Sequence, residues 1–157
     1  PGLNIAQTIS GVQTFGDIPL LPASDPTTDN QAARKLYVDN HALKSTVVLG
    51  TYNGAGGSQA VTGAGFTPSA VIVFAVRDSV TECMSWGFAD DGLTEYCLYV
   101  QGNAGTTAIS ANLIDCIAGG AGWSAVLATL DSDGCTLTWT KSGGPGDNID
   151  YIIQFLR

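Results

Sequence analysis

The stretch STVVLGTYNGAGGSQAVTGAGFTPSAVIVFAVRD, residues 45–78, sets the fold class. Three runs rich in Val, Ile, Thr and aromatics, STVVLGTY, SQAVTG and SAVIVFAVRD, are separated by NGAGG and GAGFTP. β-Branched and aromatic side chains suit a pleated surface, and clusters of Gly, Pro and Asn are where a chain reverses. The pattern repeats downstream in TECMSWGF, TEYCLYVQ, ISANLIDCIA, WSAVLATL, CTLTWT and IDYIIQFL, with DDG, GNAG, GGAG, DSDG and SGGPGDN between them. Short strands at regular spacing predict an all-β fold, an antiparallel β-sandwich of jelly-roll-like type, over residues 46–157. SAVIVFAV is apolar in both phases of the alternation, as expected of a central strand covered on both sides. Met84, Trp86 and Phe88 alternate on one face of their run and are assigned to the core.

Residues 1–45 read differently. TISGVQTFGDIPLLPASDP carries Pro19, Pro22 and Pro26, which exclude a regular central strand, and predicts an extended stem. The following TTDNQAARKLYVDNHALK predicts a helix: Thr28 and Gln31 form a capping box, and Asp29 puts negative charge in the first turn. Ala33, Leu36, Asn40, Leu43 and Val47 recur at alternating steps of three and four, an a/d seam flanked by Arg34, Tyr37 and Val38. A helix this short must dock on something. Its own domain and the same helix of partner chains are both open. Asn40 at an a position favours a parallel bundle, because a buried polar seam residue fixes register.

With 157 residues, the chain holds one compact domain and a short appendage. Only 13% of residues are charged, against about 25% in typical domains, so part of the surface is expected to lie against another chain. Fourteen acids against six bases give a net charge of −8, which argues against nucleic acid, whose phosphates need a basic patch. No apolar run approaches the ~18 residues of a membrane helix. The opening PGLNIAQTIS has no signal-peptide pattern and no initiating Met, and reads as a cut from a longer chain. Cys83, Cys97, Cys116 and Cys135 form no C-x-x-C pair; they are read as buried free thiols of a protein made in a cytoplasm.

The candidate chemistry is sparse. Asp90–Asp91 in FADDGLTEY and Asp131 and Asp133 in TLDSDGCTL stand between strands, where Asp–Gly marks a hairpin. They lack the later ligands of a calcium loop. The single His41 sits at the predicted helix C-terminus, where the dipole favours it, and no nucleophile is paired with it. GAGGSQAVTGAG matches no phosphate-binding pattern. No catalytic residue, metal or cofactor is therefore expected, although two-carboxylate glycosidase chemistry needs no motif that spacing alone would reveal. Tyr52 with Asn53, and Trp123 after GGAG, are placed near loop tips. There they serve either as a sugar-contacting surface or as rim packing.

The first part is similar to a segment of bacteriophage tail fibre proteins, in which an sG-x-Q-T-f strand and a Pro-rich connection precede a Q-A-a-x-K-x-Y-V-D helix. Gly11, Gln13, Thr14 and Phe15 match, then Gln31, Ala32, Ala33, Lys35, Tyr37, Val38 and Asp39, over roughly a quarter of the chain. The remainder resembles β-rich terminal domains of viral tail proteins. The resemblance implies a virion protein made in the host cytoplasm, a homotrimer whose stem and short helical bundle (Ala33, Leu36, Asn40 and Leu43 at its interface) lead into a head at the fibre tip. Such a head recognises a host-cell surface receptor, glycan or protein, with other tail proteins upstream. The repeated His motif by which some fibre tips hold metal is absent, so no metal is expected. Residues 46–157 hold ten acids and three bases, and this net −7 disfavours direct attraction to lipopolysaccharide phosphates. The rivals are a decoration domain without ligand and a polysaccharide depolymerase or esterase module.

Overall fold

The computed structural model describes residues 42–78, 80, 83–102 and 105–157. The expected stem, His41 and the seam positions Ala33, Leu36 and Asn40 lie outside the described residues. Leu43–Arg157 form one compact unit. Its strands are β1 (Ser45–Tyr52), β2 (Gly57–Thr62), β3 (Ala70–Arg77), β4 (Met84–Asp90), β5 (Glu95–Gln101), β6 (Thr106–Ser110), β7 (Ile114–Ala118), β8 (Ala121–Asp131), β9 (Gly134–Ser142) and β10 (Ile149–Leu156). Sheet A runs in the order β1-β10-β3-β4-β5-β6 and sheet B in the order β2-β9-β8-β7. All their strand pairs are antiparallel. The fold is all-β and sandwich-like, with a single core drawn from both sheets.

The strand order differs from a jelly roll, whose successive strands alternate between sheets. Here β3 to β6 stay in sheet A and β7 to β9 in sheet B, because short connections join successive strands to their sheet neighbours. At the β4–β5 turn, Asp90 Oδ1 accepts the Thr94 N–H at 3.0 Å. At the β8–β9 turn, Asp131 pairs with Gly134 across two residues. Both acidic strings thus serve as hairpins, and Asp133 also ties sheet B to the β2–β3 connection through the N–H groups of Gly65 at 2.6 Å and Gly63 at 3.2 Å.

The run ISANLIDCIA, expected as one strand, is two. β6 ends at Ser110 in sheet A, residues 111–113 turn a corner, and β7 begins at Ile114 in sheet B. The corner is possible because the Leu113 backbone crosses directly over Gly87, where a Cβ would collide with the Leu113 carbonyl. The last two positions of the expected seam are not helical. Leu43 is 84% exposed in irregular chain and Val47 is inside β1; the β-branched run Thr46–Val48 pairs with β10 instead.

Inward-facing Val71, Val73, Ile153 and Phe155 of sheet A are fully buried, as are Leu113 and Leu137. At the core's far end four aromatics interlock. Tyr52 stacks on Trp139 at 4.5 Å and meets Trp123 edge-on at 5.4 Å, while Tyr151 tilts against Trp139 at 5.8 Å. Trp139 Nε1 donates to Gln59 Oε1 at 2.9 Å, satisfying a polar group that would be costly to bury alone. All four cysteines are free and buried.

Candidate functional site

The antiparallel register gives the domain two unlike ends. Lys44 and Arg157 exchange backbone hydrogen bonds at 3.0 and 3.1 Å, so the chain enters and leaves side by side. The connections after β1, β3, β5, β7 and β9 all lie at the opposite end. Those after β1, β5, β7 and β9 are rich in Gly, with Asn53 exposed after β1.

Two acid-based clamps hold the β9–β10 connection at that end. Arg77 donates to Asp147 through Nε and Nη2, both at 3.0 Å, and to the Ala121 carbonyl at 2.8 Å. Both partners of this ion pair are buried, and a two-toothed guanidinium–carboxylate contact fixes orientation as well as distance. Asp78 then accepts the Asn148 N–H and Nδ2, both at 3.2 Å. Lys141 Nζ lies 4.7 Å above the Trp123 ring, a cation–π contact that caps the aromatic cluster.

The residues expected near loop tips divide. Asn53 is at the surface. Tyr52 is half-buried with its ring face occupied by Trp139. Trp123 is a correction: it is 1% exposed, the third residue of β8, and points inward. It belongs to the core and offers no surface to a sugar; its buried Nε1 has no hydrogen-bond partner.

Two carboxylates are perturbed inside the sandwich. Asp115 is buried, and desolvation holds its carboxyl above the usual range against the opposing Ser110 and Asn112 hydrogen bonds. Asn112 Nδ2 reaches its Oδ2 at 3.2 Å while Oδ1 has no partner. Burial also raises Glu95, although its Oε2 accepts the Leu127 N–H at 2.8 Å. That N–H lies on the β7 side of β8, beyond the last β7 pairing at Ala125. Cys83 is lowered to about 7, chiefly by its hydrogen bond with Cys116, with Arg77 contributing. No three His, Cys, Asp or Glu side chains cluster as a metal site among the described residues.

A second surface feature lies on the outer face of sheet A. Leu49, Ile152, Phe74, Trp86, Leu98 and Ile109 stand directly opposite one another in register, a single row across all six strands of sheet A. They point outward and are 43–76% exposed. Met84 and Phe88, expected in the core with Trp86, lie on this same outer face. β3 is likewise covered on one side only, since Phe74 and Val76 are exposed where Val71 and Val73 are buried. Between Leu49, Phe74, Val76, Met84, Trp86 and Ile152 the face is concave, a groove of about 670 Å³. The visible signal is the apolar character of SAVIVFAV in both phases, expected of a strand covered on both sides; one of those sides is exposed.

Compared with known protein families, curated proteins and solved structures, the chain gives no match.

Proposed function

We propose that this chain is the non-enzymatic attachment head of a bacteriophage tail fibre. It acts as a homotrimer, carried on a stem and short helical bundle upstream of β1, and binds a host-cell surface glycan or protein. The observation that carries the reading is the polarity of the domain. The chain enters and leaves at one end, and the Gly-rich connections with Asn53 stand at the other, where the Arg77–Asp147 and Asp78–Asn148 clamps hold the β9–β10 connection. Loops on a rigid scaffold, turned away from the point of attachment, are suited to recognition. The resemblance of residues 8–40 to tail fibre segments supports the same assignment. The acidic balance favours a neutral sugar or a protein over a phosphate-rich surface. Weak contacts at several heads reinforce one another when the heads are linked.

The test is adsorption. Fluorescently labelled full chain, offered to a panel of bacterial strains, is expected to coat some of them and to block phage attachment to those strains. A protein that labels no strain and blocks no phage is a decoration domain. New reducing ends or released acetate from purified host polysaccharide would identify the enzymatic rival instead.

A further inference from the structure

We infer that the outer face of sheet A is the surface through which copies of this chain join, and that its occupant is the same face of further copies. The inference shares with the proposed function the premise of a multimer. It adds which surface of the head joins the copies, a role that the proposed function leaves to the helical bundle.

Area is the first argument. Buried aromatic side chains contribute about 150–250 Å² each, and this face carries Phe74, Trp86, Phe88 and Tyr96 beside its aliphatic residues, each roughly half exposed or more. The apolar area on offer is thus on the order of 1,000 Å², above the ~300–600 Å² of a typical monomer's largest patch and near the ~800 Å² per partner of a stable interface.

Charge is the second. Among the outward residues of the six strands only Asp90 and Asp150 are charged, and none is basic. Asp90 closes β4 at the end where the chain enters. Asp150 is the second residue of β10, near the other end, and already accepts the Thr51 hydroxyl. The central row therefore meets its own copy without burying an ion, which would be costly unpaired. An acidic partner would be repelled, and a basic one would find two carboxylates at opposite margins.

Shape is the third. Phe74 and Trp86 meet edge-on at 6.2 Å beside the groove, so the face supplies both a ridge of large side chains and a hollow to receive one. Aromatic anchors entering such hollows are what carry binding energy in protein interfaces.

The test uses the full chain and its one methionine, Met84, which lines the groove. Light scattering gives the mass, and peptide mass spectrometry after mild peroxide gives the oxidation rate of Met84. The expected result is a multimer in which Met84 is protected, with Trp86→Lys and Leu98→Lys shifting the mass towards one chain and exposing Met84. Loss of a buried aromatic anchor should raise the dissociation constant by about thirtyfold or more. Both substituted positions are at the surface, and unchanged circular dichroism verifies that the variants fold.

A multimer with freely oxidised Met84 overturns the inference, because the helix alone would be holding the copies. A single chain with protected Met84 overturns it in favour of residues 1–41 lying on their own sheet. A single chain with reactive Met84, protected only on adding lipid vesicles, overturns it in favour of a membrane. None of these outcomes decides adsorption, so a failed interface and a failed attachment role are told apart.

Discussion

The two outer faces of this domain are built by the same backbone rule and have opposite chemistry. On sheet B the outward positions of β2 and β9 are Ser58, Ala60, Thr62, Thr136, Thr138 and Thr140, with Ser124 and Val126 beside them on β8. Alternation there separates a wet face from a dry one, as an antiparallel sheet with one solvated side requires. On sheet A the outward row is Leu49, Ile152, Phe74, Trp86, Leu98 and Ile109. A lone sandwich accounts for the first face and leaves the second in water. The contrast teaches that apolar residues in both phases of a strand do not by themselves place both faces in the core of the sandwich.

The largest effect on stability is expected where the two sheets share an interior and the contrast disappears. Arg77 reaches from β3 to Asp147 and to the Ala121 carbonyl of sheet B. Arg77→Ala leaves the Asp147 carboxylate without its guanidinium, and breaking a buried pair this way costs about 3–5 kcal/mol. Denaturant unfolding should show that loss, and the mass of the folded variant should stay that of the parent. A variant that unfolds at the parent's midpoint would mean the clamp is dispensable.

A smaller effect separates the interior from both faces by its pH dependence. Asp115 is held above the ordinary carboxyl range by desolvation, so the folded state prefers its neutral form. Its ionisation therefore lowers stability progressively as pH rises from the unfolded value of ~3.9 through the raised folded value. Asp115→Asn should stabilise at neutral pH by about 1 kcal/mol, within the range for an unsatisfied buried polar group. That advantage should vanish at about pH 3, where both forms are neutral. Glu95 is raised by the same cause and remains in both proteins, so the difference between them isolates Asp115. An advantage of equal size at both pH values would show that packing, rather than charge, explains it.

The smallest effect is the sharpest control for the two faces. Thr138→Lys on the outside of sheet B should change stability by no more than about 0.5 kcal/mol, as for most surface substitutions. It should also leave the mass untouched. Dissociation of the assembly by Thr138→Lys would put the interface on the hydroxyl face and reverse the assignment.

Much of this domain was legible in the residues. Period-two runs and Asp–Gly turns gave the all-β class, and the DDG and DSDG strings occupy the hairpins their composition predicts. Three readings failed where one residue satisfied two patterns. Leu43 and Val47 fit a three–four seam, yet Val47 also belongs to the alternation of β1, and pairing with β10 prevailed. Trp123 follows a Gly-rich turn and looked like a loop tip; β8 begins two residues earlier at Ala121, which sets its side chain inward. Ser110 and Ile114 lie in one unbroken strand-like run, and only the passage of Leu113 over Gly87 makes it a corner. That contact is between residues distant in sequence, so no local pattern carries it. The outer face of sheet A was the reverse case: its apolar signal was strong, yet Met84, Trp86 and Phe88, expected in the core, lie exposed on it.

Residue-level hydroxyl-radical footprinting of the intact chain, at working concentration and at high dilution, tests the contrast most directly. Phe74, Trp86 and Leu98 should be shielded in the concentrated sample and gain label on dilution, while Val126 and Thr138 label alike in both. Equal labelling of the two faces at both concentrations would contradict the account.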